Sequence, residues 1–81
     1  MRTRSSAHAA FGAAIRSVRA ERALSQNELA ARCELDRTYV SGIERGERNP
    51  SLTNILKIAV ALSVPPGQLF ERAERLQRRR A

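Results

Sequence analysis

The stretch from Leu24 to Gly46, LSQNELAARCELDRTYVSGIERG, constrains this 81-residue chain more than any other. Ser25 is a helix N-cap, and Glu28 three residues on completes a capping box, so a helix starts there. Leu29, Ala30 and Cys33 give that helix a narrow apolar stripe. Asp36 offers a second N-cap, Val40 and Ile43 supply an inward face, and Gly46 suits the positive-φ position that ends a helix. Helices of about two turns do not persist alone in water. Two of them, joined by about three residues, must pack on each other and on a larger framework.

That spacing is what a DNA-binding helix-turn-helix requires, with the small Ala30 letting the second helix cross closely. Through Leu24-Ser25-Gln26, Glu28-Leu29-Ala30, Val40-Ser41, Ile43-Glu44-Arg45-Gly46 and Asn49-Pro50-Ser51-Leu52, the chain resembles the lambda-repressor-like family, also called the Cro/C1 or XRE type. The run from Leu35 to Arg45 looks like the small controller proteins of restriction-modification systems. The resemblance spans roughly residues 11 to 70. It implies an all-α, five-helix domain with the helix-turn-helix at helices 2 and 3. It further implies that Arg19 pairs with Glu44 below the recognition helix, and that Arg48 and Asn49 hold phosphates. Breaking one side of such a buried pair costs about 3 to 5 kcal/mol, because the other charge is stranded. Ala23 and Glu34 stand where the family commonly has glycine. A non-glycine residue forced to positive φ costs around 1 kcal/mol, so strain is expected in both turns.

Around this centre the chain divides into a basic arm over residues 1–6, a helical core over 7–64, and a C-terminal helix with a basic tail over 65–81. The arm, MRTRSS, is too polar to pack and is expected to be disordered. Helix 1 is expected from Ala7 to Arg22, with Phe11, Ala14, Ile15 and Val18 inward. Helix 3, Arg37 to Arg45, turns Val40 and Ile43 to the core. Thr38, Ser41, Gly42 and Arg45 lie opposite, flanked by Arg37 and Tyr39. Gly42 sits in a helix interior, where glycine costs roughly 0.5 to 1 kcal/mol relative to alanine. Ser51 caps helix 4 after Pro50, and Leu52, Ile55, Leu56, Ala59 and Leu62 form its expected core stripe. Helix 5, about Gly67 to Arg78, carries Leu69, Phe70, Ala73 and Leu76 on one face. Ala73 and Leu76 extend past a four-helix core, so this face is the expected dimer interface. A basic membrane-surface helix is the competing reading, weakened by Glu71 and Glu74.

Fifteen Lys and Arg against eight Asp and Glu give a net charge of +7. That balance points to a polyanion, and double-stranded DNA is the expected partner, with a second copy of the chain. Arg37, Thr38, Ser41 and Tyr39 are the expected base contacts; Gln26, Arg45, Arg48 and Asn49 are the expected phosphate contacts. One cysteine excludes an internal disulfide and a cysteine zinc site, and Cys33 reads as a core residue. His8, the single histidine, has no second ligand near it in sequence. No nucleophile–base pair, metal site, cofactor or small-molecule site can be assembled, so an enzyme is not expected. No run approaches 18 apolar residues, and Met1–Ala10 lacks a continuous apolar segment, so a cytoplasmic location is expected. The reading is a homodimeric regulator of transcription on a (pseudo)palindromic operator, with a controller-type autoregulator as its specific form. An antitoxin of a toxin–antitoxin pair and a phage Cro- or repressor-like protein are the alternatives.

Overall fold

The computed structural model describes residues 6–80, without the side chain of Arg80. Five helices follow in order: α1 (Ser6–Glu21), α2 (Gln26–Cys33), α3 (Arg37–Glu44), α4 (Leu52–Leu62) and α5 (Pro66–Arg80). No strand occurs among the described residues, so the fold is all-α as expected. The basic arm's Arg2 and Arg4 lie outside the described residues, while Ser6 already begins α1.

The helix starts follow local chemistry. Ser25 Oγ accepts from the Glu28 N–H at 3.0 Å, and the Ser25 N–H donates to the Glu28 carboxylate at 2.8 Å. That backbone donor holds the Glu28 carboxyl below its usual range. The reciprocal cap is therefore complete above the ordinary carboxylate pKa and weakens as pH falls through the lowered folded value. Asp36 accepts from Thr38 N–H at 2.7 Å, and Ser51 from Asn54 N–H at 3.1 Å. Ala23 and Glu34 do adopt the left-handed conformation, with φ of 57° and 58°, and Ser63 joins them at 58°. Both turns thus hold a left-handed residue that is not glycine, at the expense of local strain.

The core draws on every helix: Phe11, Ile15 and Val18 of α1, Leu29 and Cys33 of α2, Val40 and Ile43 of α3, Ile58 and Leu62 of α4, and Leu69 of α5. Burial pushes the Cys33 thiol's pKa up, as suits a core residue. Two expectations need correction. On α4, Leu52 is 69 % and Leu56 44 % exposed, while Ile58, absent from the expected stripe, is fully buried. The apolar arc of α4 is wider than its core-facing side, and Leu52, Leu56 and Val60 form an outer row at i, i+4, i+8. On α5, Leu69 and Ala73 lie inside the protomer at 0 % and 8 % exposure, so neither is available to a partner. Helix α1 covers that face: Phe11 stacks on Phe70 with centroids 5.0 Å apart, and Arg72 donates to Ser17 Oγ at 2.8 Å and to Glu21 at 2.6 Å. Leu76 is half-buried against the same core, which leaves the outer side of Phe70 as α5's exposed apolar surface.

Gly12, within α1, admits α3. A Cβ there would lie 2.6 Å from the Glu44 carbonyl oxygen and closer still to that of Ile43, both backbone atoms that cannot step aside. In an ordinary helix Gly→Ala stabilises by roughly 0.5 to 1 kcal/mol. Here Gly12→Ala should destabilise by about 1 to 3 kcal/mol, because the added methyl wedges α1 from α3. Chemical denaturation of the two proteins decides it, and a more stable alanine variant would refute the close crossing.

Candidate nucleic-acid interface

Helix α3 is held from below by a nearly dry carboxylate. Glu44 has a side chain only 3 % exposed. Arg19 of α1 donates to it twice, from Nε at 2.7 Å and from Nη2 at 3.0 Å, in the planar fork that arginine favours. Gln26 of α2 adds a third donor, Nε2 at 2.9 Å. The remaining Arg19 nitrogen, Nη1, donates to the Leu24 carbonyl at 2.9 Å and so also pins the α1–α2 turn. The bond to Glu44, set against burial, raises the arginine's pKa further above its already high value. Three helices therefore meet at one carboxylate, with the α1–α2 turn held through Arg19, and the pairing implied by the family resemblance is present.

The opposite side of α3 faces outward. Arg37 and Thr38 are exposed at its N-terminus, with Ser41 and Arg45 one and two turns further along the same face. Arg45 is tied down there: its Nη1 donates to Ser41 Oγ, and its Nε donates to Glu47 at 3.0 Å. Gly42 is buried, and a Cβ on it would lie 2.6 Å from Arg48 Cγ. The missing side chain makes room for the side chain of Arg48, whose Cγ, Cδ and Nε lie over α3 at this point. Asn49 is exposed immediately after it. The helix-turn-helix family model matches residues 15–69. The chain belongs to the lambda-repressor-like (Cro/C1, XRE-type) helix-turn-helix family.

Its relatives include the control protein C.BamHI of Bacillus amyloliquefaciens, 50 % identical over 62 residues that cover 75 % of this chain and 76 % of that one. The restriction-modification controller protein C.AhdI from Aeromonas hydrophila is 51 % identical, with a TM-score of 0.74 over 75 % of this chain and 92 % of its own. The wild-type restriction-modification controller protein C.Esp1396I is 34 % identical, with a TM-score of 0.80 over 88 % of this chain and 92 % of its own. Members of this helix-turn-helix family are DNA-binding transcription regulators rather than enzymes, and so is this chain. No cluster of metal-binding side chains occurs among the described residues. No described helix is long and apolar enough to cross a membrane.

Within this helix-turn-helix, two expected contact residues besides Arg45 have other work. Tyr39 packs its ring against the core, and its hydroxyl accepts from Asn54 Nδ2 at 3.1 Å, which ties α3 to α4. It keeps one proton to donate. Gln26 spends a side-chain N–H on Glu44 instead of pointing its whole amide outward. Sequence spacing gives no signal for either partner, because both are far along the chain. Gln26→Ala should therefore lower unfolding free energy without DNA by about 1.5 to 3 kcal/mol, the range for hydrogen bonds to charged groups. Thermal or denaturant unfolding of the free protein measures it; an unchanged stability would return Gln26 to a purely DNA-facing role.

Proposed function

We infer that the protein acts as a homodimer on a two-fold-symmetric operator, as a controller-type autoregulator. The observation that carries this reading is the polarity of α3: one side locked by Glu44 to α1 and α2, the other presenting Arg37, Thr38 and Ser41 outward. Arginine at the start of such a helix suits the O6 and N7 of guanine; threonine and serine suit a thymine methyl or a single base hydrogen bond. Arg48 and Asn49, beside that face, suit phosphates, which fix register without specifying sequence. Similarity to restriction-modification controller proteins supports the autoregulatory role.

The dimer surface belongs on α4 rather than α5. Leu52, Leu56 and Val60 make an exposed row, and Val60 is 79 % exposed. A groove of about 440 Å³ beside them is lined by Arg32, Glu34, Leu56 and Lys57 among others. A patch carrying both charge signs around an apolar row is self-complementary under a two-fold axis, as an isologous interface demands.

Binding to a randomised duplex library tests both halves. The wild type should select a symmetric site with half-sites about 10 base pairs apart or a multiple of that. Arg37→Ala should cost roughly 1 to 3 kcal/mol per half-site and flatten preference at one symmetric position. Val60→Glu should leave the fold intact but reduce the protein to monomers in sedimentation and abolish the symmetric footprint. Uniform weakening by Arg37→Ala would make that residue a phosphate clamp, and an undisturbed Val60→Glu dimer would move the interface elsewhere.

A further inference from the structure

Glu47 puts a carboxylate beside a surface that meets a polyanion, in a chain of net charge +7. Its position is fixed by the backbone. Gly46 turns the chain at φ 78°, and the Glu47 N–H donates to the Gly42 carbonyl at 2.8 Å, which the Arg48 N–H also reaches at 3.2 Å. The Glu47 side chain thereby returns alongside the last turn of α3 and accepts from Arg45 Nε at 3.0 Å. From its Nη1, Arg45 donates to Ser41 Oγ. A relay of three side chains, Glu47 to Arg45 to Ser41, runs along the outward side of α3. Both charged members are about half exposed, so the pair is exchangeable and contributes little to stability.

The relay has a direction. A serine hydroxyl owns one proton, and a guanidinium donating into its oxygen leaves that proton as its offer to a ligand. In the major groove such a donor fits guanine O6 or N7, adenine N7 or thymine O4, and not the amino group of cytosine. The carboxylate has a second effect. It occupies Arg45 Nε, and an arginine held in this way is kept from an adjacent phosphate, where it would add affinity for any sequence.

We propose that Glu47 is a positioning residue for base reading: through Arg45 it sets Ser41 as a hydrogen-bond donor to an acceptor edge, and it withholds Arg45 from the phosphate backbone. Specificity is gained here by removing a non-specific attraction as well as by adding a specific one. The proposal rests on α3 being the base-reading helix.

The experiment compares wild type, Glu47→Gln, Ser41→Ala and the double variant on single-base variants of the selected operator at two salt concentrations. Glu47→Gln should bind all variants more tightly, with a salt slope steeper by about one per subunit. It should also lose about tenfold discrimination at the symmetric position that Ser41→Ala flattens, and in the double variant it should cause no further loss there. Wild-type slope and selectivity in Glu47→Gln would overturn the proposal, as would a loss confined to positions that Ser41→Ala leaves alone. A wild type that prefers no operator variant would overturn the reading of α3 itself.

Discussion

Everything the protein presents to DNA depends on how one buried carboxylate is neutralised. Removing Glu44 from water is unfavourable by several kcal/mol unless its oxygens are filled, and the fold fills them with two arginine donors and one amide. Because the donors come from α1 and α2 while the acceptor sits near the end of α3, satisfying the charge also fixes the angle of the recognition helix. An apolar contact at the same spot would tolerate sliding, whereas a bidentate pair does not. Gly12 belongs to this arrangement, since only a bare backbone lets α1 reach the C-terminal carbonyls of α3.

With α3 fixed from beneath, the remaining surfaces divide the work. The outward side of α3 is short and polar, with hydroxyls between arginines, and the stem of Arg48 lies over Gly42. Helix α5 turns its apolar side onto α1 and is held there by the Arg72–Glu21 pair. The exposed apolar row is left to α4, whose outer edge the protomer does not use. Two faces therefore stay open, the polar one of α3 and the apolar one of α4. In the proposed dimer, symmetry of the operator would be a consequence of which side of α4 stays bare.

Features governed by near neighbours are legible in the amino-acid sequence. Ser25 with Glu28, Asp36, Ser51 and Gly46 mark helix ends because caps act over a few residues, and the starts of α2, α3 and α4 fall where those caps require. The Arg19–Glu44 pair, 25 residues apart, is legible only through family resemblance, since no local rule joins such positions. What stays hidden is tertiary in origin. A helical wheel shows that Leu52 and Leu56 share an apolar arc but not which edge of that arc the core takes, and Ile58 holds the buried place. For the same reason periodicity offers Leu69 and Ala73 to a partner, although α1 covers them within the protomer. Gly12, a glycine among alanines, carries no signal until the crossing helix is known. The bonds of Tyr39 to Asn54 and Gln26 to Glu44 likewise depend on which helices meet.

If α3 is held by the pairwise interaction between Arg19 and Glu44, a double-mutant cycle on the free protein must show it. Unfolding free energies would be measured for wild type, Arg19→Met, Glu44→Leu and the double variant, in the absence of DNA. Each single change strands a charge and should cost about 3 to 5 kcal/mol, whereas the double change strands none and should cost well under the sum. Single losses that are small, or that add within about 0.5 kcal/mol in the double variant, would mean that something other than this pair holds α3.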